Sequence, residues 1–237
     1  MNFSFLEPME RTRAKRFKKN VKIFVVSLPR FVDRRASIHK QLTELGLDFE
    51  FVDDFDGSKL ETKHLNMYNS SASIRANGRD LTRAEIGNAM SHISIYEKII
   101  KEGFEEAIIF EDDTVILDNF LEILTNWGKI PKDWEVVQFC HSGQRMQFWR
   151  RWNKPTIFEK YYCASFRGEI ALASAYAINR RGAQKLLAYA YPVRLSSDGL
   201  LGRFQDTGIN SYGIFPVCCI QSNEFRSTLD PSRFAPK

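Results

Sequence analysis

One stretch of the chain limits its possible folds more than any other: a short apolar run that leads directly into three carboxylates. The apolar residues Ala107–Phe110 precede Glu111, Asp112 and Asp113, and apolar residues resume at Val115. A run of this length that ends in charged residues predicts a buried strand. Open α/β sheets bind their ligands at the carboxyl ends of such strands. The stretch therefore favours an α/β fold with a site at that edge of the sheet.

The three carboxylates also predict a particular chemistry. Adjacent like charges disfavour ionisation unless a cation lies among them. Carboxylate oxygens are hard ligands that suit Mg²⁺ or Mn²⁺. The alternative is a solvated acidic turn between a strand and a helix, with no bound ion.

Composition bounds the size and class of the protein. The chain has 237 residues, of which 43% are hydrophobic, so one domain with a sizeable core is expected, with or without a small lobe. No apolar run approaches the roughly 20 residues of a membrane helix. The first residues contain Glu7 and Glu10 and no apolar segment, so they do not predict a secretory signal. A cytosolic location is the simplest expectation.

The cysteines fit a reducing compartment. None has the C-x-x-C spacing of a zinc site, and two of them are neighbours that would point to opposite faces of a strand. We therefore predict reduced structural thiols at Cys140, Cys163, Cys218 and Cys219.

The net charge of +5 is unevenly distributed. Residues 1–20 predict a poorly ordered basic leader, ahead of a single domain over residues 21–237. A basic run can attract anionic lipid or nucleic acid, and a solvated arm without a fixed partner explains it equally well. A second cluster, aromatic and basic, predicts either a binding surface or a hairpin over the core within residues 143–160. The basic residues of the first run are Arg11, Arg13, Lys15, Arg16, Lys18, Lys19 and Lys22.

A strand, a helix and a second strand are predicted near the start of the domain. Val21–Leu28 reads as a buried strand, and Asp33 can cap a helix that runs to about Leu45 and ends at Gly46. Phe49–Val52 reads as the next strand. Such a βαβ unit implies a mostly parallel sheet flanked by helices.

The sequence motifs do not decide whether the chain binds a nucleotide. The chain has neither a G-x-G-x-x-G fingerprint nor a Walker sequence. Arg30, Arg34 and Arg35 follow the first strand and could hold a diphosphate, or they are surface arginines of an amphipathic helix.

Further elements follow from capping residues and apolar periodicity. Residues 58–80 predict a long loop or lid. Thr82 and Glu85 form a capping box for a helix that carries His92 and ends at Gly103. Asp198 lies at a turn before an apolar segment. The remaining predictions are a helix capped by Asp118, strands at Trp134–Cys140, Ala171–Ile178 and Ile214–Ile220, a helix from the cap Asn179 through Ala190, and an irregular tail from Gln221.

Several segments together resemble glycosyltransferase family 25, of the lipooligosaccharide galactosyltransferase type. The resemblance covers most of residues 21–220. Small-residue departures occur at Ala84, Asn88 and Ala173, where the family usually has Gly, Cys and Gly, and residues 145–160 do not align. The matching segments are Ile23–Arg30 with Asp33-Arg34-Arg35, Leu81–His92, Ile109–Asp113, Ala173–Ile178 and Ser197-Asp198.

This resemblance implies a GT-A-like Rossmann-type fold and an inverting transfer of a hexose from a UDP-sugar. The implied donor is UDP-galactose or a related UDP-sugar, and the implied cofactor is Mn²⁺ or Mg²⁺. The implied acceptor is the core oligosaccharide of a lipid-anchored lipooligosaccharide or lipopolysaccharide. The protein would then work as a peripheral protein at the cytoplasmic face of a bacterial inner membrane, held by its basic N-terminus, and would not bind nucleic acid.

The resemblance also implies roles for residues. The metal would be held by Asp113 with Asp112. The catalytic base would be Asp198, with Glu85 as the second candidate because its capping role can occupy it. Contacts with the donor are expected from Leu28, Arg30, Arg34, Asp54, Gly57, His92, Glu111 and Asp112.

Two other classes of function remain as alternatives. A metal-dependent phosphohydrolase or nucleotidyltransferase also places carboxylates after a strand, but an aspartyl nucleophile would need D-x-D-x-T spacing, which Glu111–Thr114 lacks. A non-catalytic module that binds nucleic acid would depend steeply on salt and not on the acidic triplet.

Overall fold

The computed structural model describes residues 21–141, 156–158, 160–166, 172–222 and 224. The predicted basic leader, most of the aromatic-basic segment and most of the tail lie outside these ranges. The strands are β1 Lys22–Val26, β2 Glu50–Val52, β3 Glu106–Glu111, β4 Thr114–Ile116, β5 Val136–Gln138, β6 Thr156–Phe158, β7 Tyr161–Ser165, β8 Ala175–Asn179, β9 Ser211–Phe215 and β10 Cys219–Gln221. The α-helices are α1 Val32–Glu44, α2 Thr62–Leu65, α3 Ser70–Asn77, α4 Arg83–Glu102, α5 Phe120–Thr125, α6 Arg180–Ala190, α7 Ser197–Gly202 and α8 Phe204–Thr207.

The described strands form an eight-stranded sheet in the order β2-β1-β3-β8-β5-β9-β7-β6, and a small sheet of β4 and β10. Strands β8 and β7 run opposite to the other six in the large sheet. The predicted α/β fold with a mostly parallel sheet and flanking helices is therefore confirmed. Strands β2, β1 and β3 are adjacent and parallel, so their carboxyl ends meet at one edge.

Strand β3 divides the core into two layers. Ile109 packs with the residues of α4 and α6 on one face of the sheet, and Ile108 and Phe110 pack with those of α1 and α5 on the other. All three side chains are fully buried. Burial of a side chain of this size contributes about 1.5–3 kcal/mol, so β3 is a rigid support for the carboxylates that follow it.

The predicted loop or lid at residues 58–80 is wrong, because this segment folds into helices α2 and α3. Asn69 caps α3 by accepting a 2.8 Å hydrogen bond from the amide of Ala72, and Gly78 ends it in the left-handed conformation. The segment is tied down where the amide of Asn69 donates to the carbonyl of Val193. Helices of four and eight residues are too short to show clear apolar periodicity.

Two predicted caps are also wrong. Helix α1 begins after Phe31 without a side-chain cap, and Asp33 lies in its first turn, where its charge favours the positive helix end. Helix α5 begins after Asn119, so Asp118 lies one residue too early. By contrast, the capping box of Thr82 on α4 is confirmed.

The predicted strand at Ile214–Ile220 is wrong as one element. Strand β9 ends at Phe215 and β10 starts at Cys219. Pro216 lies between them and has no N–H for a sheet ladder. The chain leaves the large sheet there, and β10 pairs with β4 beside the acidic turn.

Other predictions agree with the structure. Asn179 caps α6 by accepting from the amide of Gly182, and Gly46 and Gly103 have the positive φ expected after helices. The four cysteines are buried free thiols. In the described part of the chain, every helix is too short or too polar to cross a membrane.

Candidate active site

The candidate site lies at the edge where the parallel strands end. Val26 on β1 is paired with Val52 on β2 and with Glu111 on β3. The three strands therefore stop at the same level. This register brings Ser27, directly after β1, next to Asp112, directly after β3.

The acidic triplet is not a solvated turn between a strand and a helix. It connects strand β3 to strand β4, and the amide of Ser222 donates a 2.7 Å hydrogen bond to the carbonyl of Asp113. The side chains of Glu111, Asp112 and Asp113 are only 15%, 8% and 17% exposed. Each carboxylate has different surroundings, and these differences assign them different roles.

Asp112 is the anchored carboxylate of the three. Ser27 Oγ donates to Oδ2 at 2.6 Å, and Arg34 Nη1 donates to Oδ1 at 3.1 Å. Burial raises the pKa of Asp112, although the contacts with Ser27 and Arg34 oppose the shift. Because both oxygens already accept hydrogen bonds, Asp112 is less available to a metal than its neighbour.

Asp113 is the carboxylate with an oxygen available to a metal ion. Its Oδ1 is buried and has no hydrogen-bond partner among the described residues, and its Oδ2 lies 3.9 Å from Arg34 Nη1. Burial, and then the charge of Glu111, raises the pKa of Asp113 to about 7. An unpartnered carboxylate oxygen beside other carboxylates fits a cation.

The donor set also limits what kind of metal site is possible. Within the described residues, no group of three His, Cys, Asp or Glu side chains is arranged to hold an ion. Mg²⁺ is commonly bound by one or two carboxylates together with substrate phosphates and water, rather than by a cage of protein ligands. Asp113, with Asp112 behind it, fits that kind of site.

Glu111 faces helix α4. Asn88 Nδ2 donates to its Oε1 at 2.9 Å, and His92 Nε2 lies 3.5 Å from the same oxygen. Burial alone would raise the pKa of Glu111, but its contacts with His92 and Asn88 outweigh burial and lower it. Asn88 and His92 thus lie against Oε1 from the side of α4.

Asp198 is brought to the same edge by two consecutive residues. The amide of Ala173 donates to Asp198 Oδ1 at 2.9 Å, and the carbonyl of Ser174 accepts from the amide of Glu111 at 2.8 Å. Asn88 adds a second link, because it also donates to the hydroxyl of Ser197 at 3.2 Å. The first turn of α7 is therefore attached to the acidic end of β3, as the prediction for Asp198 requires.

The second candidate base has a structural role. Arg79 donates two hydrogen bonds to Glu85, of 2.8 Å and 2.6 Å. The backbone and hydroxyl of Thr82 also donate to Glu85, whose residue surface is only 2% exposed. A carboxylate held this way is poorly placed to accept a further proton, so we do not assign Glu85 the base.

The predicted donor-binding residues on the loops after β1 and β2 differ in how free they are to contact a ligand. Arg30 forms an ion pair with Asp56. Burial opposes the effect of that pair, but the pair prevails and lowers the pKa of Asp56 to about 2. Asp54 is exposed and accepts a 3.4 Å hydrogen bond from Ser94. Leu28 contributes its carbonyl to a turn that ends at Phe31.

Gly57 supports helix α4 through its backbone. A Cβ on Gly57 would lie 2.3 Å from the carbonyl oxygen of Arg83, and one on Gly87 would lie 2.7 Å from the nitrogen of Gly57. Only glycine at both positions permits this close approach. The structure therefore explains Gly57 by packing, and a contact with the donor stays a prediction.

Sequence reasoning placed His92 against the donor, but its side chain is fully buried between Glu111 and Tyr176. It can act only through another residue. No local pattern singles out Ser27 or Tyr176 as part of the site. Asn88 was indicated only by the fact that it replaces the Cys usual in the family at that position.

Comparisons with known proteins agree on one family. The model of glycosyltransferase family 25, described as an LPS biosynthesis protein, matches residues 20–201. Inactive glycosyltransferase 25 family member 3 of Mus musculus is 36% identical over 178 residues, which cover 70% of this chain and 28% of that protein. Procollagen galactosyltransferase 2 of Mus musculus is 27% identical over 175 residues, which cover 70% of this chain and 27% of that protein. The chain thus spans less than a third of these relatives.

One solved structure, of A197 from STIV, aligns over 81% of both chains with a TM-score of 0.45 and 11% identity. The structure of a glycosyltransferase involved in glycosylation of the major capsid of PBCV-1 covers 72% of this chain and 66% of that chain, with a TM-score of 0.34 and 9% identity.

Proposed function

The chain belongs to glycosyltransferase family 25, and we propose that it transfers a hexose, preferably galactose, from a UDP-sugar to a glycan hydroxyl with inversion. The observation that carries the proposal is the buried Oδ1 of Asp113, which has no hydrogen-bond partner in the described part of the chain, on a carboxylate beside Arg34. Galactose is chosen because relatives at 27–28% identity are named galactosyltransferases.

Transfer requires stabilisation of a departing diphosphate. Arg34 lies within 4 Å of both Asp112 and Asp113 and brings a permanent positive charge to this edge of the sheet. A bound Mn²⁺ or Mg²⁺, held by Asp113 and supported by Asp112, would supply Lewis-acid neutralisation of the leaving group. Ser27 keeps Asp112 in place and so fixes the geometry of both charged neighbours.

Glu111 and Asp198 take the remaining roles. Glu111 binds hydroxyl groups of the donor, while Asn88 holds Oε1 of its carboxylate in place. Asp198 accepts the proton of the attacking hydroxyl as general base. Its position in the first turn of α7, tied to Ala173, holds it near the end of β3. An inverting reaction needs this one base on the face opposite the leaving group.

The acceptor is proposed at a coarser level. A lipooligosaccharide or lipopolysaccharide core is favoured by the description of the family model, which names LPS biosynthesis. Procollagen is the second candidate, since it is named for several relatives. A lipid-anchored acceptor would place the protein at the cytoplasmic face of a membrane, with the basic residues 11–22 against anionic lipid.

The direct test is release of UDP from UDP-galactose, with UDP-glucose as the competing donor and each acceptor class added in turn. We expect release that needs a divalent ion, prefers UDP-galactose and rises with one acceptor. Asp113→Asn should abolish it, whereas Asp206→Asn, a change at a half-exposed carboxylate on α8, should leave it unchanged. Because some relatives are named inactive, UDP binding should be measured beside turnover. Binding without turnover would overturn the transferase proposal and leave a sugar-nucleotide binding protein.

A further inference from the structure

A chain of buried polar side chains lies behind Glu111. His92 and Tyr96 are four residues apart and so share one face of helix α4, and Tyr176 comes from strand β8. The Tyr96 and Tyr176 hydroxyls lie 2.7 Å apart, and the Tyr176 hydroxyl lies 2.8 Å from His92 Nδ1. His92 Nε2 lies 3.5 Å from Glu111 Oε1, within ion-pair distance but without a hydrogen bond to any described residue. His92, Tyr96 and Tyr176 are all fully buried.

Hydrogen counting gives this chain a direction. Each tyrosine hydroxyl has one hydrogen, and neutral histidine has one N–H and one bare nitrogen. If Tyr96 donates to Tyr176 and Tyr176 donates to His92 Nδ1, both hydrogens are used. The histidine hydrogen must then be on Nε2, 3.5 Å from Glu111 Oε1, where the carboxylate charge attracts it although the distance is too long for a hydrogen bond.

Nε2 lacks a hydrogen bond to the described residues in every arrangement, but the other arrangements also leave a tyrosine hydrogen without an acceptor. If Nδ1 carries the hydrogen, both hydroxyls reverse and the hydrogen of Tyr96 has no acceptor among the described residues. The bare Nε2 would also face Glu111 Oε1, lone pair against lone pair. A doubly protonated ring removes the repulsion at Nε2 but still leaves the hydrogen of Tyr96 without an acceptor. Burial raises the pKa of both tyrosines, so neither hydroxyl loses its hydrogen, and a stranded buried donor costs about 1–3 kcal/mol.

We propose that Tyr96, Tyr176 and His92 form a one-directional hydrogen-bond chain that fixes the Nε2–H tautomer of His92 and aims it at Glu111 Oε1. With Asn88, this chain holds Glu111 Oε1 from the side of α4 and so orients the carboxylate. The three residues are positioning residues, since all of them are fully buried behind Glu111. The tautomer does not depend on the function proposed above, whereas its consequence for donor binding does.

Nitrogen NMR of histidine-labelled protein tests the tautomer directly. The chain has four histidines, so the His92 signals are assigned by their loss in His92→Gln. In the wild type at neutral pH we expect a protonated Nε2 and an unprotonated, hydrogen-bonded Nδ1. Tyr176→Phe should shift Nδ1 to the position of a nitrogen without a hydrogen-bond donor. Tyr212→Phe is the matched control, because its hydroxyl donates to Asp133 on another part of the protein, and it should shift neither nitrogen.

Two results would overturn the proposal: a protonated Nδ1 in the wild type, or a Tyr176→Phe spectrum identical to the wild type. The wild-type spectrum needs no variant, so the test stands even if Tyr176→Phe folds poorly. UDP-galactose affinity is the second readout. We expect about a tenfold loss in Tyr176→Phe, the low end for partners that orient a ligand-binding group, and none in Tyr212→Phe. Failure of UDP-galactose to bind any variant, with the predicted tautomer present, would refute the proposed function alone.

Discussion

The hydroxyl of Ser27 donates a 2.6 Å hydrogen bond to Oδ2 of Asp112, and so joins the end of β1 to a turn 85 residues later in the chain. This contact separates the roles of two adjacent aspartates. Each oxygen of Asp112 accepts a hydrogen bond, from Ser27 or Arg34, while Asp113 has a buried oxygen that no described residue hydrogen-bonds. Substitution of the two residues should therefore have different consequences.

Asp113→Asn should raise the thermal stability of the metal-free protein near pH 8, because it removes a buried charge that repels Glu111. It should also abolish stabilisation by Mn²⁺, since a ligand that binds only the folded state raises its melting temperature. Thermal unfolding with and without Mn²⁺ measures both effects. A variant that Mn²⁺ stabilises as much as the wild type would remove Asp113 from the metal site.

Asp112→Asn should instead destabilise the metal-free protein by about 1–3 kcal/mol, because an amide has one acceptor oxygen and cannot hold the hydrogen bonds of both Ser27 and Arg34. Urea unfolding measures the change. Ser27→Ala removes only the hydrogen bond from Ser27 to Asp112 and should cost less, about 1 kcal/mol. Equal stability of Asp112→Asn and the wild type would contradict the anchoring role.

The acidic turn should make the stability of the metal-free protein depend on pH. The folded-state pKa of Asp113 is raised from 3.8 to about 7, so the folded protein binds this proton more tightly than the unfolded chain. The free energy of unfolding should therefore fall as pH rises from about 4 to about 7. The raised pKa of Asp112 acts in the same direction. The lowered pKa of Glu111 acts below 4.5, outside this window.

Urea unfolding across this pH range measures the dependence, with Asp113→Asn as the comparison. The variant should have a shallower slope than the wild type. A wild-type stability that rises with pH over the same interval would mean that burial and repulsion of the carboxylates do not destabilise the acidic turn.

Asn88 should control donor affinity because its amide holds both Glu111 and Ser197. Hydrogen bonds to charged groups contribute about 1.5–3 kcal/mol, so Asn88→Ala should weaken UDP-galactose binding about tenfold or more. Asn88→Asp should weaken it further, since a second carboxylate would face Glu111. Titration calorimetry provides the affinities, and Asn66→Ala, at an exposed position on the surface, is the control. An Asp variant that binds as tightly as the Ala variant would argue against the contact.

Gly87→Ala should destabilise the fold by about 1–3 kcal/mol, the usual cost of overpacking. The new methyl group would lie 2.7 Å from the nitrogen of Gly57, which is backbone and cannot move aside easily. Gly128→Ala is a suitable control, because no atom lies within 4 Å of its added Cβ. Chemical unfolding of both variants makes the comparison, and equal stabilities would contradict the close approach.

Much of this architecture could be predicted from local patterns. The first βαβ unit, the capping box of Thr82 and the cap at Asn179 each depend on residues within a few positions of one another. Apolar periodicity also located β3 and its acidic end. Helices α2 and α3 were not predicted because they are short and depend on contacts with Val193 for their position.

The side-chain partners in the site could not be predicted in the same way. Ser27 reaches Asp112 only because β1 and β3 pair in one particular register, and His92 reaches Tyr176 across 84 residues. Sequence spacing therefore identified the carboxylates, and the fold alone decided which of them is anchored and which is free.

Asp198→Asn should separate binding from chemistry. Removal of a general base typically costs 10²–10⁴-fold in rate, while UDP-galactose affinity should change little because the base faces the acceptor. Turnover and calorimetric binding of the same preparation test this. A parallel loss of both would place Asp198 at the donor instead.

Calorimetric titration of UDP and UDP-galactose, with and without Mn²⁺, tests the central claim most directly. The account predicts binding that requires Mn²⁺ in the wild type and in Asp206→Asn, and that disappears in Asp113→Asn. Binding to Asp113→Asn with wild-type affinity, or binding to the wild type that ignores Mn²⁺, would contradict it.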